Sequence, residues 1–528
     1  MALDLIIRNV QIADGTGSPL YTADIAVTGD QITEIGDLAP NATAERTIDG
    51  AGYVASPGFI DIHTHADIAL MARPEHHPKV LQGVTTEVFT NCGLGFAPVN
   101  DEGLAIQKDY ILGLFGDDGN ADNPPHPKVD WKWRSVADFL ERYEKNGIGA
   151  NLAYLMPHGS VRVSAMGMAE RPASADELET MRSMIAQGMD EGAWGLSTGI
   201  WYAPMRSADR QELVTICKTA GFFATHQRDY GEQIWEATRE SLDIAKEAGV
   251  PVQIAHLQMN GPSNAGRAGE LLELLEGAVA EGIDVTVDTY PYTAGSTFVQ
   301  STLPAWAVDG GPDSILRRLS EPETRAKLVT ELALLPTDWS RYAVVGVSSP
   351  ENGRYEGMTF PDIAQKRGMS IAEWICAVLE EDSLKACFVA NNAHENNIRE
   401  ILQWSRQMVG SDGLHLPGKT HPRLYGTFPR ILGHYVRNEK VISLVEGVRK
   451  MTSAPAERIG LKRRGKLQKG NFADIVLFNP DTVIDRATYD DPLRYPDGID
   501  WVFVNGKAVK ANGVPTGELA GRVLRKTR

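Results

Sequence analysis

Two histidines separated by one residue end the stretch GFIDIHTH, residues 58–65. A strand places side chains i and i+2 on one side, so His63 and His65 project together from the end of an apolar run. Positions of the same kind recur along the chain. Cys92 closes TTEVFTNC, His226 closes FFATH, His256 closes VPVQIAH and Asp412 closes QMVGSD. One histidine at a strand end is more often a hydrogen-bonded core residue than a ligand, and one buried cysteine is usually a small hydrophobe. Recurrence at successive strand ends changes that balance, because each coincidence is independent. Imidazole and thiolate donors suit Zn²⁺, and a carboxylate adds a weaker bond or serves as a base. His76 and His77, in RPEHHPKV, fall outside the pattern and read as solvated surface.

The elements that must position these residues follow from periodicity. From TTEVFTNC onward, short apolar runs alternate with helical stretches: AWGLST, ELVTICKTAG, FFATHQ, GEQIWEATRESLDIAKEAG, VPVQIAHLQ, AGELLELLEGAVAEG, IDVTVDTYPY. This rhythm implies parallel strands with crossover helices. Over so long a span the simplest solution is a closed (β/α)₈ TIM-like barrel, whose strand C-termini carry the active site. A doubly wound sheet would need a G-x-G-x-x-G turn after its first strand, and none is found. Both chain ends have a different texture, short strands punctuated by turns, and are expected to complete one small β-sandwich-like domain. The expected division is a β domain from residues 1–57 and 462–528, and a barrel over 58–461. A helical lid insertion at about 299–358 interrupts the barrel.

Composition narrows the function. The 528 residues are 42% hydrophobic and 23% charged, with a net charge of −17. That field repels nucleic acid and anionic membranes as partners. An anionic small molecule needs local basic residues to capture it. Four cysteines are too few for a disulfide framework, and no basic leader followed by an apolar segment opens the chain, so a reducing cytoplasm is the expected location.

The sequence resembles the amidohydrolase superfamily and, within it, the D-aminoacylase (N-acyl-D-amino-acid deacylase) family. The resemblance rests on GFIDIHTH, GVTTEVFTNCG, WGLSTGIWYAP, ATHQRD, PVQIAHLQ, DTYPYTAGST, VGSDG and HPRLYGTFPRILG, in that order, and spans essentially the whole chain. It implies a tightly held zinc on Cys92, His226 and His256. A second, weaker metal position would be formed by His63 and His65, with Asp412 nearby and Cys92 able to bridge. Asp412 would be the general base and acid. Arg423, Tyr202 and Tyr290 would hold the substrate α-carboxylate, with Gln258 and Ser296 also at the substrate. Members that accept acidic side chains carry a lysine where this chain has Gln258, and an arginine in the stretch that here reads FVQSTLPAW. The expected substrate is therefore an N-acyl-D-amino acid with a neutral, hydrophobic side chain, lined by Phe298, Leu303 and Trp306. A cyclic-amide hydrolase of the dihydroorotase or hydantoinase kind is the alternative. Such enzymes generally bridge their metals with a carboxylated lysine, for which Cys92 stands here. A barrel that had become a scaffold would be expected to have lost a ligand, and none is missing.

Overall fold

The structure is a computed structural model that describes residues 3–116 and 129–527. Its centre is a closed barrel of parallel strands: Phe59–His65, Val84–Phe89, Asn151–Pro157, Gly195–Gly199, Phe223–His226, Val252–Ile254, Val285–Thr289, and an eighth broken into Gln407–Val409 and Gly413–Leu414. The first half of the eighth strand pairs with the seventh and the second half with the first, which closes the ring. These strands are buried on both faces, as parallel strands under crossover helices must be, and Phe59–His65 is buried at every residue. Ile62, Val88, Ala153, Leu155, Ala224 and Met408, drawn from five of the strands, meet in one cluster with Ile459. The barrel is thus a packed core that leaves only its upper rim for chemistry.

The two chain ends meet in one sheet, where Ile475–Phe478 runs antiparallel to Val54–Pro57 and joins the N-terminal strands to the C-terminal ones. Leu5, Ile7, Ile25, Val27, Ile475, Leu477 and Phe503 form its apolar face. The last strand does something else. Val523–Leu524 leaves this sheet and pairs in parallel with Leu152 and Ala153 of the third barrel strand. The fourth strand pairs with the third only from Leu155 onward, so the tail fills backbone groups that would otherwise be open.

Between the seventh and eighth strands the chain builds more than a helical lid over 299–358. Strands Gly295–Phe298, Tyr342–Val345 and Cys387–Ala390 form a separate antiparallel sheet with the last in the middle. Helices Pro312–Ser320, Pro322–Ala333 and Ile371–Glu381 of the same insertion pack against one another. Short strands of this kind carry weak sequence signals, and packing against one another is what stabilises them. No helix among the described residues is long and apolar enough to cross a membrane.

Candidate metal centre and active site

Each strand end delivers its side chain to one point. His63 and His65 lie ring to ring at 5.4 Å, His63 and His256 at 5.0 Å, and His226 and His256 at 4.5 Å. Cys92 Sγ is 3.3 Å from His63 Nε2 and 3.4 Å from His256 Nε2. Asp412 Oδ1 stands 3.1 Å from His65 Nε2 and 3.5 Å from His63 Nε2. The donor atoms fall into three overlapping groups, His63–His65–Cys92, Cys92–His226–His256 and His63–His256–Asp412, each within 4.8 Å.

The backbone is bent to achieve this. Cys92, His256 and Asp412 adopt φ values of 55°, 33° and 49°, a region that side chains other than glycine's enter only under constraint. Asp412 lies in the break of the eighth strand and donates its backbone N–H to the His63 carbonyl at 2.9 Å. Pairing of the first two strands shifts register between Asp61 and Thr64, and such bulges re-aim side chains beside active sites.

A residue that the strand-end pattern does not pick out organises the cluster. Asp288, fully buried inside the seventh strand, meets His63 Nδ1 at 3.2 Å and accepts the His256 backbone N–H at 2.8 Å and Gln253 Nε2 at 2.6 Å. The signal was present in DVTVDTY, since a carboxylate inside a doubly buried strand needs donors around it. His76 also departs from its expected surface place. It is buried and pairs with Glu87 at 2.8 Å. Glu87 belongs with Lys79, whose ammonium bonds Asp61 at 2.6 Å and the Ser411 hydroxyl. Asp61 Oδ1 in turn accepts from the Ser411 backbone N–H at 2.8 Å. This charged cluster holds the strand break next to Asp412.

Electrostatics divide the imidazoles. Burial opposes a charge on His63, but Asp288 above all outweighs it and holds the ring well above the usual histidine range. Burial pushes His256 down to about 4 and His226 well below its ordinary value, so both rings are neutral donors. Burial likewise pushes the Cys92 thiol up to about 11, and a bound cation reverses that preference by stabilising the thiolate. Burial opposes ionisation of Asp412 as well, yet Arg423 and the nearby histidines outweigh it and keep the carboxyl well below the usual range. Nδ1 of His65 and of His226 are buried without a hydrogen-bond partner among the described residues. Four neutral or neutralisable imidazoles, a thiolate donor and a carboxylate suit zinc in both number and softness.

Arg423 begins the helix Arg423–Arg430 and is fully buried. It reaches Asp412 Oδ2 at 2.9 Å, donates to the Ser296 carbonyl at 3.3 Å and lies over the Tyr290 ring at 4.6 Å. Its Nε has no partner among the described residues. Tyr202 packs on His226 with ring centroids 4.7 Å apart, and its hydroxyl meets Thr297 Oγ1 at 3.1 Å. Gln258 Nε2 is tied to Thr289 Oγ1 at 3.1 Å and to the Tyr290 carbonyl. The Ser296 hydroxyl bonds the Phe388 carbonyl, so it is the backbone of Ser296 that meets Arg423.

Tyr202, Tyr290, Gln258, Ser296 and Asp412 line a cavity of about 280 Å³, while Arg423 sits behind that wall against Asp412 and Tyr290. Leu94, Leu114, Trp201, Tyr342, Phe388 and Leu414 supply the cavity's apolar wall, and two of them come from the insertion's sheet. Phe298, Leu303 and Trp306 stand elsewhere. Phe298 is buried between Tyr202 and Tyr110. Leu303 is buried and gives its carbonyl to Arg206. Trp306 donates to Glu331 beneath the Lys327 ammonium. After Phe298 the chain turns into short helices that carry Leu303 and Trp306 to their own partners.

Comparison with known proteins agrees with this geometry. A model described as the amidohydrolase family matches residues 46–510. D-aminoacylase of Alcaligenes xylosoxydans xylosoxydans is 36% identical, over 99% of this chain and 98% of its own. A crystal structure of D-aminoacylase aligns with a TM-score of 0.81 at 34% identity, covering 99% of this chain and 100% of that one. The N-acyl-D-glutamate deacylase of Bordetella bronchiseptica, complexed with zinc and a phosphonate mimic of the tetrahedral intermediate, aligns at 0.81 and 30% identity with 100% of both chains covered. The chain belongs to the amidohydrolase family, in its D-aminoacylase branch, and is a metal-dependent amide hydrolase.

Proposed function

We propose that this enzyme removes the acyl group of N-acyl-D-amino acids with neutral, largely apolar side chains, using zinc as its metal. The observation that carries the reading is the buried Arg423 guanidinium beside the ligand cluster, its Nε unpartnered. A guanidinium offers parallel donors to a carboxylate, and an N-acyl amino acid has a carboxylate two bonds from its amide nitrogen. Cys92, His226 and His256 would hold one zinc, and His63 and His65, with Asp412 and Cys92 adjacent, a second position. Zinc when bound acts as a Lewis acid towards the scissile carbonyl and lowers the pKa of water.

The protein's own residues do the rest. Asp412 is kept ionised by Arg423, so at neutral pH it is ready to take a proton from the attacking water. It returns that proton to the departing nitrogen, which leaves poorly unless protonated. Arg423, Tyr202 and Tyr290 hold the carboxylate, and with the scissile carbonyl and the side-chain wall this fixes three points, enough to select one hand. The cavity wall has no lysine or arginine among its described lining residues, and the Gln258 amide is occupied by Thr289 and Tyr290. A buried carboxylate without a cation costs several kcal/mol, which disfavours acidic side chains. The four free, buried cysteines suit a reducing compartment.

Rates of N-acetyl-D-leucine, N-acetyl-D-phenylalanine and N-acetyl-D-glutamate hydrolysis test this. The apolar pair should exceed glutamate by about tenfold or more in kcat/KM. Faster turnover of glutamate than of leucine would overturn the side-chain assignment. In Asp412→Asn, zinc content should persist while turnover falls by about 10²-fold or more.

A further inference from the structure

The metal ligands and Asp412 are not the only ionisable groups on the cavity wall. Asp229, three residues beyond His226, lines it together with Gly231, Gln258 and Asn260. Its position is fixed by the chain, since Oδ1 accepts the backbone N–H of Gly231 at 2.5 Å and of Gln233 at 3.1 Å. Tyr230, the next residue, stands edge-on to His226 at 5.1 Å. Oδ2 takes part in neither loop bond.

Among the described residues no ion pair joins this carboxylate to a cation. The charges that act on it, Glu232 and Glu236, have its own sign. Arg228, one residue before it, is directed onto Glu240 at 2.9 Å and onto the carbonyl of Arg206 at 2.8 Å. A half-buried carboxylate facing a substrate cavity repels a substrate anion and makes a charge-assisted hydrogen bond with a cation. The remainder of the wall is rich in apolar side chains, Leu94, Leu114 and Phe388 among them. Apolar walls ending in a carboxylate match a methylene stem with a charged head.

Building on the deacylase reading, and refining its preference for non-acidic substrates, we propose that Asp229 is a specificity-determining residue, and that the cavity favours, over the neutral apolar groups it accepts, an alkylammonium or guanidinium head on an apolar stem. The head belongs either to the amino-acid side chain or to the acyl group, and matched substrates separate the two. N-acetyl-D-lysine and N-acetyl-D-arginine are compared with N-acetyl-D-norleucine, and 6-aminohexanoyl-D-leucine with hexanoyl-D-leucine. In the zinc-loaded enzyme, kcat/KM in one of these arms should exceed its neutral comparator by about tenfold or more. The arm that does so locates the cation. Asp229→Asn still offers Oδ1 to both loop N–H groups, so it keeps the loop's hydrogen bonds while removing the charge. It should bring that ratio close to one. Ratios at or below one in both arms, or a ratio unmoved by Asp229→Asn, would overturn the proposal while turnover of the neutral comparators left the deacylase reading standing. Failure of the zinc-loaded enzyme to release a D-amino acid from any of the five would overturn that reading, and this one with it.

Discussion

Replacing Asp288 separates what holds the site together from what performs its chemistry. In Asp288→Ala three groups lose their acceptor: Gln253 Nε2, the His256 backbone N–H and His63 Nδ1. Each buried donor left unsatisfied costs about 1–3 kcal/mol, so the alanine variant should lose about 3–9 kcal/mol and fold poorly. Asp288→Asn is the informative change. Its Oδ1 still accepts from His256, and the Gln253 amide can rotate to present its oxygen, which limits the loss to about 1–2 kcal/mol. What asparagine cannot restore is the carboxylate that orients His63 and makes it more basic. Partners of metal-binding histidines are worth about 10–100-fold in metal affinity. The zinc dissociation constant, measured by competition with a chelator on folded Asp288→Asn, should therefore rise by about that factor. Activity should recover when zinc is raised in proportion. Wild-type zinc affinity in a variant shown by circular dichroism to be folded would refute the role assigned to Asp288.

Other perturbations follow from the same geometry. Lys79→Met leaves Asp61 and Glu87 buried without the ammonium between them, and should lower stability in urea by about 3–5 kcal/mol. An unchanged midpoint would contradict that. Zinc held by Cys92, His226 and His256 must displace the proton of the Cys92 thiol, pushed up to about 11, and a metal in the second position that of His63, held above the usual range. Calorimetry at pH 7 in buffers of different ionisation enthalpy should show about one to two protons released per zinc. Because the metal competes with those protons, affinity should fall as pH falls, and a pH-independent constant would remove the thiolate from the ligand set. Arg423→Lys keeps a charge but loses the fork that reaches both Asp412 and Ser296. It should raise KM for the acylated amino acid by about tenfold or more, and a KM unchanged by the swap would count against carboxylate capture by this residue.

Much of the barrel could be read in advance because parallel strands repeat one local pattern, an apolar run followed by a helix, and the run's last polar residue falls on the rim. His63, His65, Cys92, His226, His256 and Asp412 are all of that kind, and the structure brings them into one cluster. What escaped the pattern is informative in a different way. Asp288 lies inside its strand instead of at the end, and its value depends on donors from His256 and Gln253 that only the closed barrel brings near. His76 looked like surface because a helix start is usually solvated, yet Glu87 and Lys79 make a buried place for it. The wall contributed by Tyr342 and Phe388 depends on how the insertion's strands pair, and that pairing links residues far apart in the chain. For the same reason Trp306, close in sequence to the expected pocket, ends beside Glu331 instead.

Metal dependence and chiral selection are read together by following release of free D-leucine from N-acetyl-D-leucine, with the L isomer in parallel, as chelated enzyme is titrated back with zinc. A metal-dependent D-deacylase gives no turnover without metal, D-leucine release that rises with zinc bound, and little or none from the L isomer. Hydrolysis that survives chelation, or equal hydrolysis of both isomers, would contradict that reading.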